Sequence, residues 1–410
     1  MKLNNPKFRL CFVIIIAVVL SLAGCKDFSS PAVSERNKPE VKESDNNTDL
    51  KNAEEKSIHI ALLYKDIYAD ASENCCNQTV VSLDVVDKIE DLLKNKGYSV
   101  MNSSEKYPSY LENSESFHDF WQSVCENKNA SQELITVSAN GEMYYTVLYY
   151  KGGKKYRTYT VVSFDENNNP KVTSNTLYDI NDWELINENE FYYQVVFPPR
   201  VPFEDYALVR LAPVDEKMFD LTEKYISPIG YMSNNMFVCE WNSDNFGSLS
   251  FNDLFEYFYK IKTNDYFKSD GFEKVNEPYY HTYIPQSLFE NTVKPYFDIS
   301  LKEFRSRSLY DSKKRAYEWV EVYCDNAKIF PSVEPEIVKC SENNDGTFTL
   351  TVNVRCNDCK TDRLFTHEVT VEPLSDGAYR YMGNKITYKS EYELPPNFPR
   401  LPPQRGETDK

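Results

Sequence analysis

The spacing of apolar residues changes several times along this 410-residue chain, and each change predicts a different element. Leu10 to Leu20 is almost wholly apolar but too short for a comfortable bilayer span. Lys26 to Ser57 is rich in Lys, Glu, Ser, Asn and Asp, with too little apolar surface to offset the entropy of ordering, which predicts a flexible linker over 25–57. Ile58, Ile60 and Leu62 then alternate as a short strand, and Leu83, Val86, Ile89, Leu92 and Leu93 share one face of a helix opened by Ser82 and stopped at Gly97. Phe117, Phe120, Trp121 and Val124 predict a second helix over Ser114 to Glu126. From Glu133 the period falls to two. Strands follow at Leu134 to Ser138, Met143 to Tyr150, Tyr156 to Phe164, Lys171 to Tyr178, Phe191 to Phe197 and Tyr206 to Leu211. Gly152-Gly153 and Asn167-Asn168-Asn169-Pro170 mark reversals too short for crossover helices, so the expectation is an antiparallel meander with helices over one face.

The same order then recurs. A helix is expected from Met218 to Tyr225, and Ser250 with Asp253 resembles a capping box opening a helix through Leu254, Phe255, Phe258 and Ile261. Pro285 suits a first helical position ahead of Leu288, Phe289 and Val293, and Ser300 with Glu303 caps a short helix carrying Leu301 and Phe304. Strands are expected at Tyr317 to Tyr323, Val333 to Lys339, Phe348 to Val354, Leu364 to Val371 and Tyr379 to Thr387. The fold class is therefore α+β, in two domains over 58–215 and 216–390, each with helices preceding a mainly antiparallel meander. No residue-level repeat accompanies that similarity of order. Residues 391–410, with Pro395, Pro396, Pro399, Pro402 and Pro403, predict an extended, disordered tail.

The amino-terminal run acquires a meaning from its flanks. Lys2, Lys7 and Arg9 precede it and Leu22-Ala23-Gly24-Cys25 closes it, the order of an export signal over 1–24 cut between Gly24 and Cys25. A diacylglyceryl thioether and an N-acyl chain on Cys25 would hold a soluble body on a bilayer, where one chain binds only marginally. The expectation is a lipoprotein on the extracytoplasmic face of a cell membrane. Losing 1–24 removes three basic residues and no acid, so the net charge goes from −17 to −20. That field excludes nucleic-acid binding, which depends on Lys and Arg displacing counterions. It also disfavours docking on anionic headgroups.

Eight cysteines remain after Cys11 and Cys25 are set aside, an even number in an oxidising compartment, with pairing unreadable from sequence. Cys356-Asn357-Asp358-Cys359 lies between two alternating strand patterns, so it predicts a hairpin tip and not the helix start of a redox motif. No second Cys or His pair completes a zinc site, which leaves a bridge between Cys356 and Cys359 or two reduced thiols, and no metal or cofactor is expected. His367 falls on an apolar stripe and reads as a buried, hydrogen-bonded histidine. Hydrolase and phosphate-loop signatures are absent, so no catalytic residue is assigned. The tyrosines, 31 of them, offer stacking surface; Tyr144, Tyr145, Tyr149, Tyr150, Tyr156, Tyr159, Tyr192 and Tyr193 occupy both strand faces.

Asn234-Asn235-Met236-Phe237, Trp241, Asp244-Asn245-Phe246-Gly247, Leu249 to Phe255, Ala378-Tyr379-Arg380-Tyr381 and Asn384 resemble a family of uncharacterised lipoproteins from Gram-positive gut bacteria, over most of Ile58 to Ser390. The resemblance implies tethering and transfers no active site. The second half is also similar to nuclear-transport-factor-like and cystatin-like domains, which specifies no function. The expected role is a non-catalytic binding or interaction module for an envelope protein, peptide or glycan; a sugar-cleaving or thiol-active envelope enzyme is the alternative.

Overall fold

Where the pattern predicts linker and strand, the chain forms a helix: α1 runs from Glu43 to Glu73 in the computed structural model. The described residues are 43–73, 81–187, 189–196, 205–277, 279–322, 333–356, 359–392 and 399–401. Residues 43–57 thus belong to α1, and the expected strand at Ile58 is overturned. Ala53, Ile60, Ala61, Tyr64 and Tyr68 are buried on one helical face, so the alternation of Ile58, Ile60 and Leu62 is incidental: Leu62 is half exposed. Asp49 fixes the helix to the sheet, accepting from Lys151 Nζ at 2.7 Å and Tyr156 Oη at 2.7 Å. Gly24, Cys25 and the rest of 1–42 lie outside the described residues. Among those residues, no helix is long and apolar enough to cross a membrane.

Next come α2 (Leu83–Asn95), β1 (Val100–Met101), β2 (Leu111–Glu112) and α3 (Glu115–Cys125). The strands β3 (Ala130–Val137), β4 (Met143–Lys151), β5 (Lys154–Phe164), β6 (Pro170–Ile186), β7 (Glu190–Val195) and β8 (Asp205–Arg210) follow. They form an eight-stranded sheet in the order β2-β1-β3-β4-β5-β6-β7-β8, antiparallel except where β1 meets β3. β6 pairs with β5 through Asp179 and with β7 from Ile180 onward, with a bulge between Ile180 and Asp182. Helices cover both faces of this sheet, not one. Ile135, Tyr145 and Val147 pack with Tyr64 of α1 and Ile89 of α2, whereas Leu134 and Leu148, pointing the other way, pack with Phe117 and Phe120 of α3.

The later elements are α4 (Glu216–Tyr225), β9 (Trp241–Asn242), α5 (Phe255–Thr263), β10 (Lys274–Val275), β11 (His281–Pro285), α6 (Gln286–Val293), α7 (Leu301–Arg307), β12 (Tyr310–Asp311) and β13 (Ala316–Trp319). The chain then runs through β14 (Val333–Glu342), β15 (Phe348–Cys356), β16 (Thr361–Pro373) and β17 (Tyr379–Lys389). The last four join β9 in a five-stranded antiparallel sheet, and β10-β11-β13-β12 form a separate four-stranded one. Ser300 Oγ accepts from Glu303 N at 3.2 Å to open α7, as its spacing predicts. An aromatic seam holds this half: Phe255 stacks on Phe289 at 5.2 Å, and Phe289 on Tyr317 at 4.2 Å.

The fold is α+β, with seven α-helices and 17 strands among the described residues. From Ser44 onward they form one compact unit. The apolar cluster beneath α3 ends at Leu211 and the next begins at Tyr225. The expected tail is corrected in part. Leu401 is buried, and Arg400 is inserted into the body beside α5; residues 393–398 and 402–410 lie outside the described set.

Candidate binding site

α5 buries Phe255 and Phe258 and turns Tyr257 and Lys260 outward, because helical positions one or two removed from the core face cannot reach it. That outward face makes one wall of a groove of about 470 Å³. Ser227 to Met232, following α4, make a second wall; Tyr266, Phe267, Trp319, Glu321 and Val322 make the third. Met232 and Tyr266 stand at the rim, 52% and 69% exposed. Such side chains project into water at an energetic loss unless something covers them.

Polar contacts fix the groove's shape. Tyr257 Oη donates to the carbonyl of Met232. Burial pushes this phenol up to about 12, so it stays a neutral donor. Lys260 Nζ donates to Tyr266 Oη at 2.9 Å and lies 4.3 Å from its ring centroid, which also lowers the pKa of that phenol. Phe267 sits edge-on to Trp319 at 5.2 Å, and Trp319 Nε1 donates to Glu256 Oε2 at 2.7 Å. The other oxygen of Glu256 meets Arg400 Nη2 at 2.6 Å. Glu256 is thus held between the indole and the guanidinium.

A second cleft, of about 440 Å³, opens between the large sheet and β14, over Pro108, Met218, Phe219, Ile337 and Val338. Its charges bind one another. Buried Glu190 Oε1 lies 2.9 Å from Arg355 Nη2 and 3.4 Å from Arg210 Nη2, and Glu336 meets Arg210 at 3.5 Å. Burial raises the Glu190 pKa, against the pull of Arg355 and Arg210. Arg210 and Glu190 come from the large sheet, Arg355 and Glu336 from the later one, so the network stitches two halves of the unit together. It is a junction before it is a ligand site.

The expected chemistry falls elsewhere. Cys356 ends β15 and Cys359 precedes β16, so the hairpin tip is as expected, and Cys359 N donates to Cys356 Sγ at 3.3 Å. Cys75, Cys76 and Cys324 lie outside the described residues, and among those described no three His, Cys, Asp or Glu side chains are placed to hold a metal ion. His367 is wholly buried: its Nδ1 faces Asn384 Oδ1 at 2.7 Å and its Nε2 faces Tyr231 Oη at 2.8 Å. Asn384 Nδ2 donates to the carbonyl of Cys239, which leaves its oxygen for the ring. So Nδ1 carries the proton and Tyr231 donates to Nε2. With no opening to solvent, the array is a core fastening.

Of the tyrosines that sequence singled out, Tyr145, Tyr149, Tyr156, Tyr192 and Tyr193 are core, while Tyr144, Tyr150 and Tyr159 are half-buried. The aromatic rim of the groove is instead exposed Tyr266, with half-buried Tyr257 beside it. A signal for it existed, since Tyr257 lies between Phe255 and Phe258 and cannot share their face.

Residues 50–400 match the profile of a family of unknown function (DUF6070). No curated protein and no solved structure matches the chain.

Proposed function

The chain belongs to that family of unknown function, so its role must come from its own surfaces, and we propose that it is a lipid-anchored extracytoplasmic binding module that takes an extended peptide segment in the Met232–Tyr266 groove. The groove carries the reading. Methionine beside aromatic rings adapts to varied apolar side chains, which suits a peptide better than the flat, hydrogen-bonding face of a sugar. A net charge of −20 after loss of residues 1–24 draws a basic segment towards it. The anchor rests on Leu22-Ala23-Gly24-Cys25 behind its basic and apolar run.

Two measurements test the two parts. A photo-crosslinking residue at Tyr266, on producing cells, is expected to give a reproducible adduct that Tyr257→Ala weakens at least tenfold. An adduct unchanged by Tyr257→Ala, or none, refutes the groove. Cys25→Ala is expected to abolish acyl labelling and release the protein from membranes; unchanged fractionation refutes the anchor.

A further inference from the structure

Arg400 is the most completely coordinated cation among the described residues, although the sequence places it in a proline-rich tail. Its side chain is 2% exposed. Nε meets Asp253 Oδ1 at 3.2 Å, Nη1 donates to the carbonyl of Val320 at 2.6 Å, and Nη2 donates to the carbonyl of Asp253 at 2.8 Å and meets Glu256 Oε1 at 2.6 Å. Its backbone N–H donates to Asp253 Oδ2 at 3.2 Å. One carboxylate thus reads both the main chain and the side chain of one residue, and two carbonyls accepting from different guanidinium nitrogens favour a fork over a point charge.

Two further features describe a site for a peptide and not merely a pinned chain end. Leu401 is buried as well, so two consecutive side chains of the segment are taken into the body. A cavity of about 280 Å³ also continues past Pro399 and Leu401, between Gly247 to Ser250 and Ser306 to Leu309, so the groove is larger than the segment lying in it. Asp253 and Glu256 are both raised in pKa by burial, which makes an empty slot unfavourable and calls for an occupant.

We propose that the slot formed by Asp253, Glu256 and the carbonyls of Asp253 and Val320 is a recognition site for an arginine-bearing, proline-flanked peptide, filled in this chain by its own Pro399-Arg400-Leu401 as a detachable ligand. Nine residues separate Lys389, the end of β17, from Pro399. That short tether gives the internal copy an effective concentration on the order of millimolar, which an external peptide must overcome. The slot shares Glu256 with the aromatic groove, yet its occupancy does not depend on what the groove binds.

The test uses the full chain with Arg400→Ala. The substitution is expected to lower the thermal midpoint and to move the Trp319 indole N–H resonance, assigned by Trp319→Phe, because that indole shares Glu256. Ethylguanidinium, and a synthetic peptide of residues 397–404, are expected to return at least half of both changes. Ethylammonium and the same peptide with lysine in place of arginine are expected to return neither. Equal rescue by the lysine peptide, or no rescue while the variant stays folded, overturns the proposal. Should Arg400→Ala not fold, the unaltered chain is titrated with the labelled 397–404 peptide. Saturable binding that the lysine version does not compete supports exchange, and no binding at ten times the effective concentration overturns it.

Discussion

His367 gives the sharpest quantitative test of the core. Burial pulls its pKa down from 6.5 to about 4, against a smaller upward pull from Asn384. The geometry supplies the reason: a proton on Nε2 would face the hydroxyl hydrogen of Tyr231, which must turn away, and complete burial removes the charge from bulk solvent. The folded pKa lies below the unfolded one, so the unfolded chain binds the extra proton first as pH falls. The contribution is whole above about pH 6.5 and is lost progressively down to about pH 4. A gap of about 2.5 units at about 1.36 kcal/mol each makes that loss about 3 kcal/mol. Other groups titrate in the same window with opposite sign. Glu90, raised by burial to about 7, contributes stability below its unfolded pKa that disappears as pH rises through about 7. The informative quantity is therefore the difference between wild type and His367→Gln in urea unfolding from about pH 7.5 to about pH 4.5. His367→Gln is expected to be the less stable at the upper end and to close most of a gap of about 3 kcal/mol at the lower end. Parallel curves, or an imidazole titrating near 6.5 in the folded protein by NMR, would refute the reasoning.

Arg355→Met leaves buried Glu190 with only the more distant Arg210, and a loss of about 3–5 kcal/mol is expected in denaturant unfolding; adding Glu190→Gln should recover part of it. A double variant no better than the single one would count against the pairing. Gly141 holds φ +77°, and a Cβ there would lie 2.1 Å from Tyr68 Cε2, in a ring already stacked on Phe164 at 4.7 Å. Gly141→Ala is expected to cost about 1–3 kcal/mol and to speed amide exchange in α1; a thermal midpoint within error of wild type would contradict this packing.

What sequence could show depended on how local the cause was. α2 was legible because Val86, Ile89 and Leu93 repeat at helical spacing and are its buried apolar residues, and β15 and β16 because burial alternates over Leu350 to Val354 and His367 to Val371. α1 was not. Its buried face comprises isolated apolar residues in a strongly polar stretch, and Asp49 matters only through Lys151 and Tyr156, far away in sequence. The pairing of Ser250 with Asp253 suggested a cap, yet α5 starts at Phe255 after a 3-10 turn over Asn252–Leu254, and Asp253 serves Arg400. No periodicity can report a contact between residues 147 positions apart. The groove was half legible: Tyr257 announces an outward aromatic, but Met232 and Tyr266 join it only through the fold.

The slot at Asp253 and Glu256 also sets a clock on biosynthesis. These two acids are translated well before their cation, Asp253 by 147 residues. The carboxylates of α5 and the turn before it therefore wait for Arg400 to be made before they can be paired. For a chain bound for the extracytoplasmic address proposed above, that wait would leave two buried acids without their cation until the later segment has followed them across.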